Sequence, residues 1–88
     1  MDMTPTSIYK TKDLPEAAFL LSQVDVRFVG LEPRTQTSYF FCFAPANRCQ
    51  SLSFDFLSGK ALVNARAYAD AIRRCKDLVF SRERSVKP

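Results

Sequence analysis

An apolar block of good helix formers predicts the first helix, over residues 14–23. Asp13 precedes this helix as an N-cap, and Pro15 falls in its first turn, where a missing backbone N–H costs nothing. Glu16 stands three residues after Asp13, which predicts a capping box in which the Glu16 carboxylate reaches back to the Asp13 backbone. A short strand over residues 7–10 is predicted to lead into this helix.

Apolar and polar residues then alternate over residues 24–29, which predicts a strand that Gly30 ends or bends. A polar, turn-rich stretch at residues 32–37 separates it from a second strand over residues 38–44, and this short separation favours an antiparallel hairpin. The second strand is apolar on both faces, so we expect it at the centre of the sheet or covered on both sides. One face carries Tyr39, Phe41 and Phe43, and the other carries Phe40, Cys42 and Ala44.

Residues 46–57 fit two different patterns. Leu52, Phe54 and Phe56 alternate as they would in a strand, whereas Cys49 and Leu52 together with Phe56 follow helical spacing. The proline before the segment and the Ser-Gly pair after it favour the helix.

The clearest helical period follows Asn64, a second N-cap, and predicts a final helix over residues 65–81. Its apolar positions step by three and four residues, and charged residues of both signs alternate on the other side. The apolar stripe consists of Ala65, Tyr68, Ile72, Cys75 and Val79.

These elements predict the order β-α-β-β-α-α, with a short extra strand near residues 61–63. The fold class is therefore α+β, with helices packed on a small antiparallel sheet. A chain of 88 residues has room for a single domain. We expect its folded part to cover about residues 7–81, with flexible ends at residues 1–6 and 82–88.

The chain is basic, with 13 Lys and Arg against 9 Asp and Glu, a formal charge of +4 and a pI near 9.2. This balance favours acidic partners, and a nucleic-acid-binding accessory protein is the alternative function. Its contacts would come from the last helix and the basic tail, through Arg66, Arg73, Arg74, Arg82 and Arg84. Asp70 and Asp77 interrupt this stripe, which is more typical of a solvated helix face.

The aromatic second strand offers another route to nucleic acid. A sheet that stacks unpaired bases needs aromatic rings on an exposed face beside cations, and Arg27 and Arg34 lie near residues 39–43 in the sequence. Helices over the sheet would bury the same rings. The aromatic density is typical of a small hydrophobic core, so we expect packing to be the role of these residues.

The composition does not indicate catalysis. The chain has no histidine, which removes the commonest proton shuttle and the usual partner of a catalytic serine or cysteine. Helix capping accounts for Asp13 and Glu16 and arginine pairing for Asp70 and Asp77, whereas Asp25 and Asp55 stand alone without an acidic companion. Two separate glycines cannot form a phosphate-binding loop. We therefore expect no enzymatic activity, no catalytic residues and no cofactor.

The three cysteines are Cys42, Cys49 and Cys75. Without histidine they are too few for a closed zinc site, so we expect no metal. Cys42 and Cys75 occupy apolar positions suited to packing. Cys49 stands beside Arg48, an electropositive neighbour that could lower a thiol pKa, but an ordinary surface thiol is the favoured interpretation. Free thiols, the lack of a signal leader and the lack of an apolar run of about 20 residues favour a cytoplasmic protein that does not enter membranes.

The opening segment and the last helix also carry a resemblance. The residues concerned are Tyr9, Lys10, Thr11, Asp13, Leu14, Ala17, Ala18, Phe19 and Leu20, then Val63, Asn64, Ala65 and Arg66, and finally Lys76, Asp77 and Leu78. In these the chain resembles an uncharacterised domain-of-unknown-function family of small bacterial and bacteriophage proteins that opens with Tyr-Lys-Thr-x-Asp-Leu. The resemblance implies a shared fold over residues 9–80 in a short phage or mobile-element protein. It assigns no functional residue.

The main hypothesis is a small non-enzymatic protein-interaction module, a phage- or prophage-encoded adaptor or inhibitor of a host or viral protein. Apolar surface left exposed beside charges is the usual mark of a partner site in a small domain. The expected contact residues are Tyr9, Phe54, Phe56, Arg66, Tyr68 and Arg73. A symmetric homodimer is a second expectation, because an open edge strand at residues 24–31 can pair with its copy.

Overall fold

The computed structural model describes residues 7–36 and 38–86, with side chains described as far as Arg82. The elements are β1 (Tyr9–Thr11), α1 (Leu14–Leu21), β2 (Arg27–Pro33), β3 (Tyr39–Ala44), α2 (Ala46–Leu57) and α3 (Ala65–Val86). The strands form a three-stranded antiparallel sheet of order β1-β3-β2. The predicted α+β class and element order are confirmed, with α2 a helix, and residues 61–63 form no strand.

The sheet has one face turned to the helices. Phe41 and Phe43 of the central strand β3 join the hydrophobic core with residues of all three helices, and we call this side the core face. Cys42 lies on the opposite side, the open face, where it is paired with Lys10 of β1. The position of β3 at the centre of the sheet is as predicted.

The helix α1 is enclosed by its neighbours. Residues 17–20 are at most 2% exposed, because α1 packs against β1, α2 and α3. An apolar surface around the whole helix is typical of such a position. The helix ends at Leu21 and not at residue 23 as predicted, because the Ser22 hydroxyl donates to the Phe19 carbonyl at 2.6 Å and competes with a further helical turn.

The strands differ from their predicted bounds. β1 covers Tyr9–Thr11 and not residues 7–10. β2 runs past Gly30 to Pro33 and begins three residues later than predicted, at Arg27. Gly30 does not end the strand. The register shift between Phe28 and Gly30 absorbs one residue as a β-bulge, and a bulge bends the strand locally, which is the second of the two predicted roles of Gly30. Its φ of +153° lies in a region that favours glycine.

The helix α3 packs against α1. Asn64 caps it as predicted, since its side-chain oxygen accepts from the Ala67 N–H at 2.9 Å. The buried residues Ala71 and Cys75 face the core. α3 continues to Val86, so the predicted helix end at residue 81 is corrected. Arginine and glutamate, which dominate this extension, are good helix formers.

Residues 1–6 and 87–88, for which flexible ends were expected, lie outside the described residues.

Candidate functional site

The outer side of α2 changes from polar to apolar along its length. Asn47 and Gln50 are exposed in its first half, and the same side carries Phe54 and Leu57 in its last turns. The side chains of Phe54 and Leu57 are 67% and 71% exposed. Two large apolar residues one turn apart therefore face solvent at the C-terminal end of this helix.

The loop after α2 adds to this apolar surface. The backbone N–H groups of Lys60 and Ala61 donate to the Asp55 carbonyl at 2.8 and 3.1 Å, which folds the loop back on the last turn of α2. Leu62 and Val63 follow directly and are 93% and 38% exposed. We call Phe54, Leu57, Leu62 and Val63 the α2 tip. Single exposed apolar residues are common, but several at one end of a helix are typical of a contact surface.

The other aromatic residues predicted for the site have structural contacts. The Tyr9 phenol donates to the Glu16 carboxylate, and the Phe56 ring stacks on Phe19 with centroids 5.1 Å apart. The Tyr68 phenol donates to the Pro15 carbonyl at 3.3 Å. Tyr9, Phe56 and Tyr68 are half-buried, whereas Phe54 is exposed.

The predicted arginines lie on α3 beside carboxylates. Arg66 and Arg73 both pair with Asp70, at 3.9 and 2.5 Å. Arg74 and Asp77 share a shallow depression of about 200 Å³ with Leu78 and Ser81. Carboxylates thus accompany this stripe as the sequence predicts.

The remaining two arginines of the predicted stripe lie near the end of α3. The Arg82 guanidinium lies over the Tyr39 ring, 6.0 Å from its centroid, which is within range of a cation–π contact. The side chain of Arg84 lies outside the described residues.

A buried polar cluster joins β1 to α1 and α2. Glu16 is 6% exposed, and its two carboxylate oxygens accept from the Tyr9 phenol at 2.5 Å and the Thr11 hydroxyl at 2.7 Å. The Asp13 N–H donates to the Thr11 hydroxyl at 3.1 Å. The capping box is therefore wrong in one half: Asp13 caps the Glu16 N–H at 2.9 Å, but the Glu16 side chain turns to the sheet.

The environment of this cluster affects the Tyr9 phenol. Burial raises the pKa of Tyr9 above its ordinary value of 10.0, and the hydrogen bond with the Glu16 carboxylate raises it further. The buried hydroxyl of Ser53 in α2 acts on the same phenol and lowers its pKa, against the two larger effects. Both oxygens of Glu16 are occupied and enclosed, so its carboxylate is not accessible to a substrate. Sequence reasoning missed this role because the partners come from a neighbouring strand.

All three thiols are buried, Cys42 at 6% exposure and Cys49 and Cys75 at 0%. Burial raises the pKa of each thiol, and for Cys75 the pKa reaches about 11. The expected surface position of Cys49 is wrong, because the residue is 0% exposed. Arg48, the neighbour considered as able to lower the Cys49 pKa, pairs with Asp25 at 2.5 Å. The nearby carboxylates of Asp25 and Glu16 raise the Cys49 pKa further.

The open face of the sheet carries an ion pair above β3. Lys10 of β1 and Glu32 of β2 pair at 2.8 Å across the central strand, which covers Cys42 between them. A groove of about 490 Å³ on this face is lined in part by Ile8 and Val29.

The open face is where β3 would need exposed aromatic rings in order to stack unpaired bases. Phe40 is the ring of β3 on this side, with the Arg34 guanidinium 6.0 Å from its centroid. The other aromatic residues of β3, Tyr39, Phe41 and Phe43, are buried. A row of exposed rings for base stacking is therefore not formed by the described part of β3.

Among the described residues no group of three or more cysteine, aspartate or glutamate side chains could hold a metal ion. No described helix combines the length and apolar character needed to cross a membrane. Comparison of the chain with protein-family models, with curated proteins and with solved structures gave no match.

Proposed function

We propose that this chain is a small non-enzymatic protein-interaction module of the cytoplasm, acting as an adaptor or inhibitor of a host or viral protein. The phage or prophage origin that belongs to this proposal rests on the resemblance of the opening segment to small bacterial and bacteriophage proteins.

The observation that carries the proposal is the α2 tip. Phe54 and Leu57 are about two-thirds exposed while the core residues of the same helix, Cys49 and Leu52, are at most 7% exposed. Burying a Phe or Leu side chain contributes about 1.5–3 kcal/mol, and aromatic residues in such patches are frequent anchors of interfaces. A partner with a complementary apolar pocket would recover this contribution on binding.

The burial and the structural contacts of the ionisable side chains also support a role in protein contact over a role in catalysis. The thiols are buried with raised pKa values, and Glu16 is enclosed by hydroxyl donors. Four of the other described carboxylates have a structural partner: Asp13 the helix N-terminus, Asp25 Arg48, Glu32 Lys10, and Asp70 both Arg66 and Arg73. An active site of general acid-base type needs a carboxylate or thiol that converges on an open cleft.

The α2 tip can be tested by affinity capture from lysate of the native host. We expect a partner to be retained by the unmodified chain and lost with the double variant Phe54→Ser/Leu57→Ser. The double variant Asn47→Ser/Gln50→Ser changes the same side of α2 one to two turns earlier, so it serves as the matched control and should retain the partner. Equal capture by both variants, or no specific partner at all, would contradict the proposal.

The alternative function, a nucleic-acid-binding accessory protein, would use the arginine side of α3. The extension of α3 to Val86 favours it, because this places the basic end of the chain on a continuous helix. The pairing of Arg66 and Arg73 with one carboxylate, Asp70, supports the protein-interaction role instead. Protein binding is therefore the function that the geometry supports best.

A further inference from the structure

The strand β2 forms an open edge of the sheet. It pairs with β3 on one side, and among the described residues no strand pairs with its other side. β2 has seven residues, which is longer than the usual strand and long for an unprotected edge. Its outer backbone groups are available to another strand.

The β-bulge gives this edge a symmetric arrangement of faces. Phe28 and Leu31 lie opposite Phe43 and Phe41, so both are on the core face. Gly30 lies opposite Cys42 on the open face, and Val29, which has no partner of its own on β3, lines the open-face groove beside it.

The two ends of the strand complete this symmetry. Arg27 and Glu32 lie opposite Ala44 and Phe40, on the open face. The six side-chain positions from Arg27 to Glu32 therefore lie, in chain order, on the open, core, open, open, core and open faces of the sheet. The order is the same in both directions from the midpoint between Val29 and Gly30.

A regular strand has this symmetry only about a residue and never about the midpoint between two residues, because its faces alternate strictly and adjacent residues never share one. A bulge normally discourages pairing with a regular strand, since one strand then has a residue too many. A second copy of β2 carries the same extra residue. Two copies can therefore match along their whole length while each residue keeps its own face.

The charges of β2 fit the same register. When two copies run antiparallel about this midpoint, Arg27 of each copy lies opposite Glu32 of the other. Opposite charges at facing positions stabilise a strand pair, and here the pair occurs twice by symmetry. Arg27 is exposed, and Glu32 is about half-exposed in its ion pair with Lys10, so both can reach across the edge.

The apolar side chains of β2 are also incompletely buried within a single copy of the chain. Phe28 and Leu31 belong to the core face but are only partly buried, and among the described residues no strand lies beyond β2. In the antiparallel register each Phe28 lies opposite Leu31 of the other copy. Pro33 has no N–H to donate, so it ends the paired segment.

The geometry points to a two-fold symmetric homodimer in which the β2 edges of two copies pair antiparallel, with Arg27 opposite Glu32, Phe28 opposite Leu31 and Val29 opposite Gly30. The two sheets then form one continuous sheet of six strands. This inference rests on the proposed function in giving the chain a contact role, but it uses a surface separate from the α2 tip.

Sedimentation equilibrium and isotope-filtered NMR on the full chain test the dimer. We expect concentration-dependent dimerisation and intermolecular NOEs between the Phe28 ring and the Leu31 methyl groups. Arg27→Glu should weaken dimerisation about ten- to hundredfold, because it places two carboxylate pairs in opposition. Lys60→Glu makes the same change of charge in a loop away from β2 and should leave dimerisation within about threefold.

The charge-swap variant Arg27→Glu/Glu32→Arg should restore dimerisation, because each copy again faces an opposite charge. It replaces the Lys10–Glu32 ion pair by two cations, but both positions are exposed, so solvent screening keeps the cost to the monomer small. Circular dichroism of each variant confirms that it is folded. A chain that stays monomeric up to about 1 mM, intermolecular NOEs at another surface, or equal effects of Arg27→Glu and Lys60→Glu would each overturn the inference.

The two proposals fail separately. The variant Phe54→Ser/Leu57→Ser should dimerise like the unmodified chain, and Arg27→Glu should still capture the partner of the α2 tip. An unmodified chain that dimerises but captures no partner overturns only the proposed function, whereas normal capture without a dimer overturns only the β2 interface.

Discussion

The phenol of Tyr9 donates to the buried carboxylate of Glu16 and so joins the first strand to the first helix. Thr11 donates to the other carboxylate oxygen at 2.7 Å, so one side chain of α1 holds two positions of β1. Hydrogen bonds to a charged acceptor in a buried place are among the stronger ones in proteins.

Tyr9→Phe should lower the free energy of unfolding by about 1–3 kcal/mol, because it leaves one oxygen of a buried carboxylate without its donor. The measurement is urea denaturation followed by circular dichroism. Tyr68→Phe is the matched control, since the Tyr68 phenol makes an exposed bond of 3.3 Å and its loss should cost at most about 0.5 kcal/mol. A Tyr9→Phe effect no larger than that of the control would contradict a stabilising role for the Glu16 cluster.

The two helix caps and the Glu16 cluster differ in how far sequence can predict them. Asp13 and Asn64 accept from backbone groups three residues away, so their contacts follow from the local sequence alone. A local hydrogen bond from the Asp13 backbone N–H was also within reach of the Glu16 side chain in sequence. Its carboxylate instead accepts from Tyr9 and Thr11 of β1. That outcome depends on how β1 docks against α1, and the pattern of residues along the chain does not contain this information.

The three thiols should react with Ellman's reagent at pH 8 far more slowly in the folded protein than in urea, because all three are buried. Cys42 should react first, since it is 6% exposed beneath the Lys10–Glu32 pair while the other two are at 0%. Mass spectrometry of peptides after brief labelling identifies the modified thiol. Fastest labelling of Cys49 would contradict the buried position next to the Arg48–Asp25 pair.

Cys75 should make the protein less stable in alkali. Its pKa is about 11 in the fold, compared with an ordinary value of 9.0, so above pH 9 the unfolded chain loses the thiol proton while the folded chain keeps it. The associated stability is fully present below pH 9 and is lost as the pH rises towards 11, by an amount on the order of 2 kcal/mol.

The measurement for Cys75 is urea denaturation of the unmodified chain and of Cys75→Ala at several pH values under a reducing agent. Subtracting the variant removes the contributions of Tyr9 and of the other thiols, whose pKa values are also raised. The difference in stability between the two proteins should shrink from pH 8 to pH 11. A constant difference would mean that Cys75 ionises equally in both states.

The exposed residues of the candidate site could be predicted only in part, because they depend on which side of α2 packs against the core. In a strand, Phe54 and Phe56 would share a face, and the alternating pattern at residues 52–56 left that open. In the helix they lie on different sides: Phe56 stacks on Phe19, and Phe54 faces solvent together with Leu57. Helix start and stop signals gave the correct element type, but exposure followed from its docking.

The symmetry of β2 was beyond sequence reasoning for a similar reason. The alternation at residues 24–29 predicted a strand, and Gly30 marked a place where it would end or bend. The strand continues through a bulge at that place, and the residues after the bulge lie on the face opposite to the one that regular alternation would give. Only the pairing with β3 reveals which residues share a face. The open edge itself was predicted, whereas the proposed register of Arg27 with Glu32 depends on the order of faces that pairing with β3 gives.

The arginine side of α3 should not bind nucleic acid with micromolar affinity. Arg66 and Arg73 share the Asp70 carboxylate, and Arg74 lies beside Asp77, so phosphates would compete with carboxylates already in place. Fluorescence anisotropy with mixed single- and double-stranded DNA and RNA at about 50 and 200 mM salt measures this. The double variant Asp70→Asn/Asp77→Asn frees these arginines and should gain binding that falls steeply with salt. Tight, salt-sensitive binding by the unmodified chain would instead favour the nucleic-acid alternative over protein contact.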